Sequence, residues 1–262
     1  MPPRKKAMTL NFYVAVALAL TLVVRPSSDR ANAEERAIYV SVLDQRGTPV
    51  AGLATHDFIV REGGVEREVL RVSTATDPLQ IAVLVDTSQA IEPYVSEVRR
   101  ALKSFSREIQ DRHDRALFAF GERPARVADY SRDPARLEDG IARLFARTGA
   151  GASVVDAVIE AARGLRQREA TRPVVVVITA EDPDLSDVDH QTVLDDLRAT
   201  NATLHTFVFG KASAAMALQR RLQGLAAELN NQYLVIYAQP HGGIPPDPLD
   251  VKVKRPGLTV RR

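Results

Sequence analysis

The chain has 262 residues, of which 45% are hydrophobic and 26% charged, which suits one substantial core and argues against a disordered chain. Cysteine is absent, which excludes disulfides, a Cys-ligated zinc site and a lipid-modified cysteine anchor. Aromatics make up only 5% without any Trp, and the net charge of +2 is uneven: residues 1–33 hold five basic residues and one acid, leaving −2 on the remainder. Neither stacking platforms nor an electrostatic footprint for a phosphate backbone is present, so no nucleic-acid partner is expected.

Residues 1–33 open with Arg4, Lys5 and Lys6, continue with a largely apolar stretch over 8–24, and end on Ala31-Asn32-Ala33, a small-x-small cleavage pattern. They predict a signal peptide or, if uncleaved, a membrane anchor, because the apolar length approaches the roughly 20 residues that span a bilayer. Either form places the folded part outside the cytoplasm: periplasmic, secreted, or anchored facing outward. Membrane contact is expected through this segment alone.

Residues 34–76 alternate apolar and polar positions between turns. Ile38, Val40 and Val42 share a strand face, Gln45-Arg46-Gly47 turns, Phe58 and Val60 begin another strand, and Gly63-Gly64 turns again before 69–72. A small antiparallel β unit is predicted. Residues 77–238 switch to strands alternating with amphipathic helices, the pattern of a doubly wound, mostly parallel α/β sheet with helices on both faces. Strands are expected at 79–85, 115–120, a short edge piece at 125–128, 174–179, 203–209 and 233–237. Helices are expected at 93–110, from Asp133-Pro134 onward with Leu137, Ile141 and Leu144 inward, and at 154–165, 187–199 and 214–229. Residues 239–262 pass through a Pro-Gly stretch and resume strand alternation from Leu249, returning to pair with the β unit.

The first strand of the α/β region ends on Asp86-Thr87-Ser88-Gln89-Ala90. Asp-x-Ser after such a strand resembles the metal-binding loop of von Willebrand factor A (VWA) domains. The run from Val42 to Gly64 and the closing Lys252-Val253-Lys254-Arg255-Pro256-Gly257-Leu258 resemble flanking segments of the bacterial VWFA-related group. The resemblance covers nearly everything after residue 33. It implies a Rossmann-like fold and three loops whose oxygens hold Mg2+, with a partner's carboxylate completing the shell.

In this chain the loops depart from that pattern. Ala90 stands where a second hydroxyl belongs, Ala152 where the resemblance places a Thr, and Ala180 where it places an Asp. Asp86 and Ser88 are then remnants of a degenerate metal-ion-dependent adhesion site. Their simpler role is to cap the strand-to-helix turn through free backbone N–H groups. Ser153 and Glu181 are the substitutes by which a weak Mg2+ site would survive at low occupancy.

Other constellations carry less. Gly149-Ala150-Gly151 lacks the third glycine and the preceding strand of a phosphate cradle. The five histidines show no metal-ligand spacing and are expected on surfaces or loops, as are Arg163, Arg166, Arg168 and Arg172. Ser88 lacks the Gly-x-Ser-x-Gly elbow of a nucleophile. The expected function is an exported, non-catalytic protein-binding module without a cofactor, with Gln89, Ser153, Glu181, Asp182 and Asp184 as the partner-binding rim. A Mg-dependent adhesion module is the alternative, and an enzyme of unknown reaction a second one.

Overall fold

The computed structural model describes residues 33–180, 186, 190–209, 215–240 and 249–262. The expected targeting segment up to residue 32, the acidic positions Glu181, Asp182 and Asp184, and most of the Pro-Gly stretch lie outside the described residues. Among the described residues no helix is long and apolar enough to cross a membrane.

The central sheet has the order β7-β6-β5-β8-β9. Strands β5 (Gln80–Asp86), β6 (Asp114–Phe120), β8 (Pro173–Ala180) and β9 (Thr203–Phe209) run parallel, and β7 (Ala125–Ser131) lies antiparallel on one edge. Every residue of β8 is buried, as expected of a strand covered on both faces. Ile81, Val83, Val176 and Ile178 form one core with α1 (Val95–Glu108), α2 (Pro134–Ala142) and α5 (Ala215–Asn230), which contribute Leu102, Phe105, Ile141 and Leu225. Ala82, Leu84, Val175 and Val177 form the opposite core with α3 (Val154–Gln167), while Val193 and Leu197 of α4 (His190–Thr200) pack against it.

The small β unit is built from β1 (Ala33–Leu43), β2 (Phe58–Glu62), β3 (Val65–Arg67), β4 (Val69–Thr74), β10 (Tyr233–Pro240), β11 (Leu249–Val253) and β12 (Thr259–Arg261). Two sheets, β12-β1-β10-β4 and β11-β2-β3, share a core that includes Val40, Phe58, Val60 and Val235. The C-terminal strands thus return to the N-terminal ones, with Leu43 opposite Thr259 and Glu62 opposite Leu249.

One strand departs from the expected arrangement. Residues 233–237, predicted within the parallel sheet, pair antiparallel with β1 and β4 instead. Tyr233, Val235 and Tyr237 are buried while the residues between them are less so, the alternation of an antiparallel strand rather than a doubly covered one. The Tyr233 hydroxyl also donates to Val50 O at 2.8 Å and accepts from Leu53 N at 3.2 Å, partners that only the β unit supplies.

Two ionisable residues expected near the surface are buried. Arg172, immediately before β8, is 3% exposed and fastens the sheet to the β unit. It donates to Asp77 O and to Gln232 Oε1 and lies over the Tyr39 ring at 4.7 Å, while Tyr39 donates to Asp77 Oδ2 at 2.6 Å. His113 sits in a loop yet is fully buried, its Nδ1 accepting from Leu79 N at 3.0 Å. His205 likewise lies in a strand, β9, not a loop.

Burial, reinforced by Arg112, Arg172, Arg115 and Arg132, pushes the His113 ring from 6.5 down to about 4. Between those values the unfolded chain binds the extra proton. The contribution of neutral His113 is therefore complete above about pH 6.5 and is lost as pH falls toward 4, amounting to at most about 3 kcal/mol. Urea unfolding across this window should show that loss, and His113→Gln should flatten it.

Candidate functional site

The carboxyl ends of parallel strands leave their last residues facing the loops above the sheet, which is where such folds bind ligands. Asp86 ends β5 there, with 1% exposure. Its Oδ1 accepts from Ser88 N at 2.7 Å, and its Oδ2 accepts from Ala180 N at 2.9 Å and from Thr179 Oγ1 at 3.0 Å. One carboxylate thus ties its own turn to the end of β8. The next residue ties the other neighbour: Thr87 donates to Phe120 O from its N at 2.7 Å and from Oγ1 at 3.0 Å. Gly121 permits this approach, since a Cβ there would meet Thr87 Oγ1 at 3.3 Å.

The loop between α2 and α3 closes over the same place. Arg147 N donates to Thr87 O at 2.9 Å, Gln89 N donates to Ala150 O at 3.0 Å, and Gly149 N donates to Gln89 Oε1 at 3.0 Å. Gly149 holds a φ of +79°, which only glycine adopts without strain. Arg99 of α1 donates to Leu144 O. On this braced loop Phe145 is 60% exposed, with the Arg147 guanidinium 5.9 Å from its ring centre.

The remaining expected site residues are placed as follows. Gln89 is exposed and spans to the α2–α3 loop as described. Ser153 is 4% exposed, so it lies beneath the rim, its Oγ donating to Glu122 O at 3.4 Å and its N to Gly121 O at 3.1 Å. Ser88 is fully buried, and its Oγ has no hydrogen-bond partner.

A divalent cation such as Mg2+ needs a near-octahedral shell of oxygens. Three positions that the resemblance assigns to oxygen ligands carry methyl groups that pack into the cores. Ala90 and Ala180 lie with the α1–α5 side, and Ala152 with the α3 side. Asp86 is engaged by three donors, which leaves Ser88 Oγ as the one uncommitted side-chain oxygen of the first loop. Among the described residues no group of three or more His, Asp or Glu converges. These residues do not fit the ion, and no chemical step is derived through one.

A family model for the von Willebrand factor type A domain matches residues 80–237. The chain belongs to this family. Among solved structures, a von Willebrand factor type A protein from Catenulispora acidiphila is 11% identical and covers 87% of this chain and 72% of its own, with a TM-score of 0.52. Proximal thread matrix protein 1 from the mussel byssus is 12% identical over 64% of this chain, with a TM-score of 0.47; the chain spans 49% of that protein. Manganese-loaded TRAP protein from Plasmodium vivax is 14% identical and covers 72% of this chain and 95% of its own, with a TM-score of 0.48. No match was found among curated proteins. At 11% identity the Catenulispora acidiphila structure speaks to fold alone.

Two residues at these loops escape sequence reasoning. Thr179 is part of an apolar strand, and nothing local marks its hydroxyl as a partner of Asp86. Phe145 could have been noticed as the one aromatic in the loop 143–149, flanked by Arg143 and Arg147.

Proposed function

We propose that the chain is an exported protein-binding VWA module that engages its partner through the rim above β5, β6 and β8 without a bound metal. The β extension of residues 34–76 together with the returning segment from β10 onward is its mount, and the five-stranded sheet with its helices its binding unit. The observation that carries this reading is the bonding of Asp86: a carboxylate that elsewhere would hold an ion here holds Ser88 N, Thr179 Oγ1 and Ala180 N. The loops are then rigid by their own bonds, and rigid loops lose little entropy on binding. Phe145 and Arg147 supply an aromatic and an arginine, the residue types that dominate binding hot spots. Gln89, Glu181, Asp182 and Asp184 contribute the polar margin that sets specificity.

A crosslinking pull-down of the exported protein from envelope fractions tests this. Phe145→Ala should reduce partner recovery by about tenfold or more, because an exposed anchor contributes binding rather than folding energy. Reversing the charges of Glu181 and Asp182 should change which partner is recovered. Equal recovery from wild type and both variants removes the rim from the interface.

A further inference from the structure

We propose that the outer edge of β9 accepts an acidic, extended segment of a partner protein as a sixth strand of the central sheet. This surface is separate from the rim and does not rest on the reading above. In the described structure β9 is hydrogen-bonded to β8 on one side and is the last strand of its sheet. The next strand in the chain, β10, is committed to β1 and β4, and among the described residues no strand pairs with that edge.

Exposed strand edges are ordinarily blunted by Pro, a bulge or an inward charge. Thr203-Leu-His-Thr-Phe-Val-Phe209 has no Pro, Lys or acid, and its register with β8 runs from Thr203 to Phe209 without a bulge. Leu204 and Val208 are 40% and 45% exposed. The edge therefore offers a flat row of backbone donors and acceptors, the feature used in strand addition.

Grooves lie on both faces beside it, as alternating side chains of an added strand require. On the α4 face a groove of about 390 Å3 is walled by Leu194, Leu197, Leu204 and Tyr39. On the α5 face a groove of about 680 Å3 is walled by His205, Phe207 and Leu225. His205 Nε2 is buried there without a hydrogen-bond partner.

Charge selects the occupant. Among the described residues, Arg46, Arg221, Arg261 and Arg262 line the larger groove, and Glu228 is its one acid, already paired with Arg261 at 3.0 Å. The smaller one adds no further free charge beyond Arg262, since Arg172 is 3% exposed and bonded to Asp77 O and Gln232 Oε1, and Arg198 pairs with Asp195 at 3.6 Å. A second copy joined edge to edge would set these arginines against one another, whereas an acidic segment neutralises them.

Hydrogen exchange of the full chain tests this with two synthetic seven-residue probes, one alternating Val and Glu, the other Val and Lys. The Val-Glu peptide should slow amide exchange within 203–209, and the Val-Lys peptide should not. Combining Arg46→Glu with Arg262→Glu, both exposed positions in the larger groove, should weaken the Val-Glu peptide by about tenfold or more with an unchanged melting temperature. Unchanged β9 exchange at saturating peptide, or equal protection by both peptides, overturns the proposal. So does concentration-dependent dimerisation that protects β9 without peptide.

Discussion

Asp86→Ala should lower the free energy of unfolding by about 3 kcal/mol or more, measured by urea denaturation. The substitution leaves Ser88 N and Ala180 N buried and without their acceptor, while Thr179 Oγ1 keeps only the longer bond to Ala180 O at 3.3 Å. Each such orphaned donor costs about 1–3 kcal/mol, and the relief of no longer burying a charge offsets part of the sum. Asp86→Asn keeps one accepting oxygen and turns an amide NH2 toward the remaining donors, so about half the loss is expected. The change belongs to folding, because the same carboxylate fixes the β5 turn and the end of β8. A loss under about 1 kcal/mol would mean that the three bonds do not brace the loops.

The second large effect is expected at Arg172. Arg172→Met keeps most of the volume but strands Gln232 Oε1 and the Asp77 carbonyl and removes the cation from the Tyr39 ring. Breaking such a buried arrangement from one side costs about 3 kcal/mol. Arg172→Lys should recover little, since an ammonium cannot reach two acceptors in one plane while stacking on an aromatic face. Hydrogen exchange should quicken first at β10 and β1, where Gln232 also donates to Ser41 Oγ at 3.2 Å. Full recovery by Lys would refute the role of the planar guanidinium.

Much of this architecture is legible in the chain because its cause is local. Runs such as Ile81–Val85 and Val174–Ile178 are apolar at every position, which in a short segment between turn signals means a doubly covered strand. The turn residues of the β unit act equally locally. β10 misleads for the same reason: Tyr233-Leu-Val-Ile-Tyr237 is apolar or aromatic throughout, so its period is unreadable, and the partner of the Tyr233 hydroxyl, Val50 O, lies 183 residues away. His113 and Arg172 are ordinary polar residues until tertiary packing closes around them.

The site divides in the same way. Asp86, Ser88 and the three alanines are visible because sequence position alone puts them on loops at one end of the sheet. The partner that gives Asp86 its role, Thr179, is separated from it by 93 residues, and no periodicity announces the bond. Ser153, expected on the rim, is 4% exposed with its hydroxyl donating to Glu122 O at 3.4 Å, and no local pattern announces that burial.

On the proposed reading Asp86 and Thr87 hold the first loop's turn in place of an ion, and Ser88, whose hydroxyl takes no part in that bonding, discriminates between turn and ion. Its hydroxyl is fully buried and unpartnered, so without an ion Ser88→Ala relieves a desolvation cost of about 1–2 kcal/mol. The decisive measurement is the melting temperature of wild type and Ser88→Ala with and without millimolar Mn2+. No shift with Mn2+ is expected in either protein, and the variant should be at least as stable as wild type. A rise with Mn2+ concentration in wild type that is absent from Ser88→Ala would show by mass action that an ion binds there, and would contradict it.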